Sequence, residues 1–231
     1  MYEKILEPHR NVVDELKEYL KVDELKFKSR QEAANSVADF FRKLNPKTQE
    51  EYDKFYETCD DYIYENVYCN KENSCVQRTK KIIRILKGQK AKRILEIGVG
   101  VGTYSLALEN AGFDVTVSES EDLAFKFFKW RIAKRNSKIK FLKKKFEKFD
   151  AVIFLDVIEH VNDPFGFIKD MAKYSDRMIF THGFGIHTEK MGGYPQHFDF
   201  KINEIKKCLE DKGFQKQKVK EIFPPHFYKK V

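Results

Sequence analysis

The stretch LEIGVGVGTYSLAL, from Leu95 to Leu108, decides the fold of this chain. It predicts a strand over 93–97, then a tight turn, then a helix over 103–111. The turn contains three glycines, Gly98, Gly100 and Gly102. Glycine lacks a Cβ, so the backbone can adopt conformations closed to other residues and can approach a ligand closely. Because the first amides of the following helix point at the turn, we expect a small ligand to bind there.

The spacing of the glycines and the residue before them indicate what kind of ligand this is. The glycines follow the pattern GxGxG, whereas a dinucleotide-binding turn has GxGxxG, and position 103 here is Thr. Glu96 lies two residues before the first glycine, at the end of the predicted strand. A carboxylate there would repel a pyrophosphate but attract the ammonium group of an amino acid. The loop therefore favours a cationic ligand without phosphate over a dinucleotide.

Short apolar segments alternate with helical ones from residue 92 onward. The predicted strands are 93–97, 114–118, 140–142, 151–155 and 178–181, followed by strand character at 214–222 and around Phe227. The predicted helices are 103–111, 121–135, 164–173 and 202–212. This alternation is typical of a parallel sheet with helices on both faces. The predicted fold class is α/β, a Rossmann-like, doubly wound and mainly parallel seven-stranded sheet.

Residues 1–88 have a different pattern, in which apolar residues recur every three or four positions as on an amphipathic helix. Thr48 and Glu51 have the spacing of a capping box, which predicts a helix start after the break at Pro46. A later helix is expected to end at Gly88. We therefore divide the chain into a helical extension or lid, 1–88, and a Rossmann-like domain, 89–231.

An acidic residue follows the second predicted strand, 114–118. Glu119 lies about 20 residues beyond the first glycine, where a carboxylate normally accepts hydrogen bonds from ribose hydroxyls. Glu121 is the alternative, although Glu119 fits the strand end better.

These motifs, with FDAVIFLDVIEHVNDP from Phe149 to Pro164, resemble the class I S-adenosylmethionine-dependent methyltransferase superfamily. The resemblance covers about residues 90–222 and is closest to the branch of the ubiquinone-biosynthesis methyltransferases. It implies that the cofactor is S-adenosyl-L-methionine. The residues it implicates in binding that cofactor are Glu96, Gly98, Gly100, Gly102, Glu119, Leu155 and Asp156. The sequence departs from the family after the third strand, where an acid near the adenine is replaced by lysines, so Phe146 or a backbone amide is expected there instead.

Methyl transfer to a hydroxyl, an ammonium or a carbon acid benefits from a general base, and histidine has a suitable pKa. His160 ends the segment DVIEHV at the carboxyl end of the fourth strand, where ligands gather in open α/β sheets. It is therefore the leading catalytic candidate, with a supporting hydrogen-bonding role as the alternative. His182 and His197 are further candidates, and His187 lies between them.

No resident metal is predicted. A metal cluster could be suspected at the ends of the fourth and fifth strands, from Glu159, His160, His182 and His187. Their spacing follows from the positions of the strands, however, and matches no known pattern of metal ligands. The cysteines Cys59, Cys69, Cys75 and Cys208 form no CxxC pair, so they are interpreted as free thiols rather than as a zinc site.

The charge balance is mildly basic, with 44 Lys and Arg against 36 Asp and Glu and a net charge of +8. The excess is mild and mostly lysine, whereas a nucleic-acid-binding surface would interleave arginine and aromatic residues on one face, so nucleic acid is a possible but not a favoured partner. No apolar run is long enough for a transmembrane helix, and no secretory signal is evident, so we expect a cytoplasmic protein. The favoured function is methyl transfer to a small-molecule acceptor. An RNA or protein methyltransferase and a non-catalytic S-adenosylmethionine-binding regulatory protein remain alternatives.

Overall fold

The computed structural model describes residues 2–120, 122–143, 147–182, 197–198, 200–217 and 225–231. Within them, seven strands form one sheet in the order β3-β2-β1-β4-β5-β7-β6. The strands are β1 Arg93–Ile97, β2 Asp114–Ser118, β3 Lys140–Phe141, β4 Ala151–Phe154, β5 Arg177–Phe180, β6 Phe214–Lys216 and β7 His226–Lys230. Strands β1 to β5 are mutually parallel, and β7 is antiparallel to both β5 and β6.

The central strands alternate their side chains between two separate cores. In β1, Ile94 packs into one core together with Ile153 of β4, whereas Leu95 packs into the other. All four residues of β4 are buried. Burial on both faces explains why these strands read as continuous apolar runs, because a parallel sheet is covered by helices on both sides.

Helices cover the two faces of the sheet and extend before it. They are α1 Tyr2–Ile5, α2 Glu7–Arg10, α3 Val12–Leu20, α4 Arg30–Leu44, α5 Gln49–Thr58, α6 Tyr62–Lys71, α7 Asn73–Gly88, α8 Thr103–Asn110, α9 Leu123–Lys134, α10 Pro164–Tyr174 and α11 Ile202–Asp211. Helices α7, α8 and α9 contribute to the core on one face, and α10 and α11 to the core on the other. A 3₁₀ turn, Ile158–His160, follows β4.

Two further apolar clusters join the N-terminal helices to one another and to the sheet domain. Side chains of α3 and α6 pack with Phe127 of α9, and those of α4 and α5 surround Phe55. The predicted capping box is present, because the Thr48 hydroxyl accepts from the Glu51 amide and the Glu51 carboxylate accepts from the Thr48 amide. The helix predicted to end at Gly88 does end there. The division at residue 88 stays a prediction.

One fully buried arginine connects the N-terminal helices to the glycine turn. Arg131 of α9 donates from Nε to Glu15 of α3 at 2.8 Å and from Nη2 to the Pro8 carbonyl at 2.8 Å. Its Nη1 donates to the Val101 carbonyl at 2.6 Å and to the Thr103 hydroxyl at 2.9 Å. The sequence analysis had no signal for this ion pair, because Glu15 lies far from Arg131 along the chain.

Among the described residues, no helix combines the length and the apolar composition that crossing a membrane requires.

Candidate active site

A cavity of about 590 Å³ opens at the carboxyl ends of β1 and β4. The strand order reverses between these two strands, and ligands of open α/β sheets bind at such a switch point. Side chains of α5, α6 and α7 close the cavity from the other side. Its volume lies within the range of about 300–1,000 Å³ that is usual for pockets of small molecules.

The glycine turn forms one wall of the cavity. The φ values of Gly98, Gly100 and Gly102 are 71°, 51° and 71°, in the left-handed region that residues with a Cβ rarely adopt. A Cβ on Gly98 would lie 2.3 Å from Val157 Cγ2, and one on Gly102 would lie 1.9 Å from Phe128 Cδ2. Gly98 and Gly100 line the cavity, whereas Gly102 is the N-cap of α8 and packs against Phe128.

Glu96 lies at the base of this wall and is 1% exposed. The Ser105 hydroxyl donates a hydrogen bond to its carboxylate. Burial raises the pKa of Glu96 to about 8, although the Ser105 hydrogen bond acts in the opposite direction. The carboxyl group is therefore mostly protonated at neutral pH until a cation approaches it.

Glu119 faces the turn from the end of β2. Its Oε2 accepts from the Gly100 amide at 2.8 Å, and its Oε1 accepts from the Ser120 amide at 2.9 Å. Burial raises the pKa of this carboxyl group above its usual value, and the two amides lower it in part. The side chain thus connects the second strand to the glycine turn at the position predicted for a ribose contact.

Leu155 and Asp156 follow β4 and line the same cavity. Asp156 has a φ of 53° and accepts from Arg78 of α7 at 2.5 Å and from the Thr181 hydroxyl at 2.6 Å. Burial alone would raise the pKa of Asp156, but Arg78 and Thr181 hold it below its ordinary value. Asp156 is therefore ionised and paired with an arginine from the N-terminal helices.

His160 and His197 also line the cavity and lie next to each other. Their ring centroids are 4.7 Å apart, and the Phe198 amide donates to the Glu159 carbonyl at 2.8 Å. The hydroxyl of Tyr56, in α5, lies 2.5 Å from His160 Nδ1. Candidate ligand atoms of Glu159, His160 and His197 all lie within 4.8 Å of one another. The chain thus gathers two of its predicted catalytic histidines beside a buried glutamate.

His182 lines the cavity but is not part of this group. Its ring stacks on that of His226, with centroids 5.2 Å apart, and burial lowers its pKa. Of the other residues named from the sequence, Glu121, Phe146 and His187 lie outside the described residues.

Two cavity residues from the N-terminal helices were not assigned a site role from the sequence. Arg78 pairs with Asp156, and Asn66 lies near Gly100, where a Cβ would be 3.1 Å from Asn66 Oδ1. Neither belongs to a local motif, so only the packing of α6 and α7 against the glycine turn reveals them. The contact of Tyr56 with His160 likewise depends on how α5 packs and has no local signal in the sequence.

Comparison with known proteins agrees with this geometry. Residues 71–179, from the end of α6 into β5, match a family model described as a methyltransferase domain. No curated protein sequence matches the chain at a significant level.

Several solved structures share the fold. Magnesium protoporphyrin IX methyltransferase from Synechocystis PCC 6803 with bound SAH is 19% identical, with 84% of this chain and 94% of that chain covered and a TM-score of 0.54. The same enzyme with bound SAM is 16% identical, with 90% and 100% covered and a TM-score of 0.54. An S-adenosylmethionine-dependent methyltransferase from Clostridium acetobutylicum ATCC 824 is 12% identical, with 73% and 96% covered and a TM-score of 0.58.

These likenesses confirm the predicted fold class, a Rossmann-like, mainly parallel seven-stranded sheet with N-terminal helices. The match of residues 71–179 to a methyltransferase domain agrees with the resemblance that the sequence motifs predicted.

Proposed function

We propose that the protein transfers a methyl group from S-adenosylmethionine to a nucleophilic atom of a small molecule. The observation that carries the proposal is that one cavity is lined both by the glycine turn and by His160 and His197. A methyl donor held by the turn and an acceptor held beside the histidines would meet inside the protein. Holding two reactants in line in this way contributes much of the rate of a displacement reaction.

The residues at the glycine turn fit this cofactor. Glu96 would hold the ammonium group, and the turn at Gly98 and Gly100 would accommodate the amino-acid end, because neither glycine carries a side chain toward the cavity. Glu119 would accept from the ribose hydroxyls, exchanging part of its present bond to the Gly100 amide. Gly102 is a predicted cofactor contact, while its packing against Phe128 supports a role in shaping the turn.

When bound, this cofactor supplies a methyl group on a sulfonium, which is displaced with a neutral thioether as leaving group. Leu155 and Asp156 would border the reacting centre, because both line the cavity. The ion pair between Asp156 and Arg78 would hold both side chains in place there.

The N-terminal helices would exclude water and shape the acceptor end. Tyr56 and Tyr62 line the cavity, and burial raises the pKa of both well above the usual value. Their hydroxyls therefore stay protonated and serve as hydrogen-bond partners. In this arrangement Tyr56 orients the ring of His160, the residue predicted to take the proton of the acceptor, while His182 and His197 are the further candidates.

A small-molecule acceptor is supported by the enclosed cavity and by the magnesium protoporphyrin IX methyltransferase that shares the fold. The narrower resemblance to the ubiquinone-biosynthesis branch rests on the segment DVIEHV, from Asp156 to Val161, and stays a prediction. Localisation in the cytoplasm also stays a prediction.

Transfer of labelled methyl groups tests this proposal. Purified protein is incubated with methyl-labelled S-adenosylmethionine and either the ultrafiltrate or the acid-precipitable fraction of a cell extract. We expect label in products of the ultrafiltrate, and none with Gly100→Val. Label found only in precipitated RNA or protein would contradict the small-molecule acceptor, and cofactor binding without transfer in either fraction would favour a non-catalytic regulatory protein.

A further inference from the structure

We propose that Glu159, His160 and His197 bind a divalent transition-metal cation at the acceptor end of the cavity. One carboxylate and two imidazoles converge there, with candidate ligand atoms within 4.8 Å of one another. Ligands of such a cation lie about 2.0–2.2 Å from it. Side-chain movements on the order of 1 Å therefore bring all three into coordination distance.

The surroundings of the three side chains support coordination. Glu159 is 1% exposed, so its carboxylate is enclosed beside the two imidazoles. Two sections of chain meet at this point, because the Phe198 amide bonds to the Glu159 carbonyl at 2.8 Å. This bond holds the residue next to His197 against the 3₁₀ turn that carries the other two side chains.

Tyr56 supplies the outer contact that a coordinating histidine usually has. Its hydroxyl lies 2.5 Å from His160 Nδ1, so an Nδ1–H that donates to the tyrosine oxygen leaves the Nε2 lone pair for a metal. The same contact fixes the plane of the ring. A hydrogen bond that selects the tautomer in this way raises the basicity of the coordinating nitrogen.

The donor set selects the kind of cation. Two imidazoles and one carboxylate suit manganese, iron, cobalt or zinc better than magnesium or calcium, which prefer oxygen donors. Three protein ligands leave further coordination positions open, and the cluster lines the cavity proposed for the acceptor. The cation would therefore have room for one or two atoms of a bound small molecule.

The role of the cation in the reaction, unlike its binding, rests on the proposed function. An oxygen acceptor such as a phenol or an enol would coordinate the cation and ionise more readily, and its proton would pass to water. The resulting oxygen anion would form the new bond to the methyl carbon as the bond from carbon to sulfur breaks. His160 would then act as a ligand rather than as the proton acceptor.

Titration with cobalt tests the site directly. Full-length protein is dialysed against a chelator, and Co²⁺ is added while its visible absorption is recorded. We expect one Co²⁺ per chain with the spectrum of nitrogen and oxygen ligands, and an affinity at least about tenfold weaker in Glu159→Gln and in His197→Asn. The matched control is His182→Asn, which removes a cavity histidine outside the cluster and should bind Co²⁺ as the native protein does.

Separate titrations with S-adenosylmethionine show that each variant is folded and keep the two proposals apart. If the native protein binds S-adenosylmethionine but not Co²⁺, the metal site alone is overturned. If the native protein does not bind S-adenosylmethionine, the proposed function is overturned. Absorption bands typical of thiolate ligands, or Co²⁺ binding unchanged in both cluster variants, would place the metal elsewhere and also contradict the site.

Discussion

The ionisation of one buried residue, Glu96, is expected to make the affinity for the ligand depend on pH. Its carboxyl group is enclosed at the end of β1, and burial raises its pKa to about 8. In the absence of a ligand it therefore holds a proton at pH 7. A ligand ammonium stabilises the ionised form, so binding at neutral pH should release this proton.

We predict that the affinity for S-adenosylmethionine rises by up to about tenfold per pH unit between pH 6 and 8 and levels off above the pKa of Glu96. The sign follows from the raised pKa, because only the ionised carboxyl pairs with the ammonium. The measurement is calorimetry at pH 7 in buffers of different ionisation enthalpy, which should give close to one proton released per ligand bound. Glu96→Gln should bind more weakly at pH 8 and release almost no proton. The same small release from the native protein and from the variant would contradict this assignment.

The raised pKa of Glu96 also affects the unliganded fold. The folded state retains a proton that the unfolded chain loses near its ordinary pKa of 4.5. This contribution to stability is fully present below that value and is lost as the pH rises through about 8. At the pH where Glu96 is proposed to bind the ligand best, its buried carboxylate therefore contributes least to the stability of the unliganded protein. Proteins often retain such a loss of stability at functional sites.

At the scale of elements, α9 holds the N-terminal helices and the glycine turn in one arrangement. Arg131 is fully buried and contacts Glu15 of α3 and the Val101 carbonyl in the turn. Burial lowers the pKa of Arg131 to about 10, and Glu15 opposes that effect, so the guanidinium stays charged at neutral pH. The arginine thereby connects α2 and α3 to the glycine turn, which lines the cavity.

Replacing this arginine tests the connection. We expect Arg131→Met to lower the free energy of unfolding by about 3–5 kcal/mol, because removing one partner of a buried ion pair leaves Glu15 Oε2 and the carbonyls of Pro8 and Val101 without their arginine donor. Urea denaturation followed by circular dichroism measures the change.

The control is Arg135→Met, since Arg135 also pairs with Glu15 but its side chain is 15% exposed. It should cost about 1 kcal/mol or less, as for a partly exposed pair. Equal losses in the two variants would contradict a special role for the buried arginine.

Local elements were predictable where the pattern is local. Strands β1 and β2 have the bounds expected from the sequence, and the capping box at Thr48 begins α5 as its spacing indicates. Of the strand predicted over 214–222, the described residues show β6 at Phe214–Lys216, and 218–222 lie outside them.

At the scale of the whole molecule, the sheet brings together in one cavity residues that are far apart in the sequence. The glycine turn, Glu119 and Asp156 lie at strand ends, so the parallel topology alone places them together. The pairs Arg78 with Asp156 and His160 with His197 could not be predicted in the same way. They depend on how helices and a distant segment pack, which is fixed by side-chain shape rather than by any periodic pattern.

Sequence spacing did not reveal the cluster of candidate metal ligands either. From the sequence, Glu159 and His160 were grouped with His182 and His187, and a metal was not predicted. The structure instead groups Glu159 and His160 with His197. Spacing in the sequence carries information on a ligand set only when the ligands belong to one local element, as in a helix or a turn.

Binding of S-adenosylmethionine to the native protein and to two glycine variants tests the central claim most directly. Gly100→Val places a side chain in the cavity wall beside Asn66, at a backbone with φ of 51°. Gly112→Val introduces a similar strain at a φ of 93° but meets no atom within 4 Å and lies outside the cavity lining. Calorimetric titrations with S-adenosylmethionine and, separately, with NADH should show binding of the former alone, retained in Gly112→Val and lost in Gly100→Val. Binding of NADH in its place, or no binding of S-adenosylmethionine to the native protein, would contradict the account.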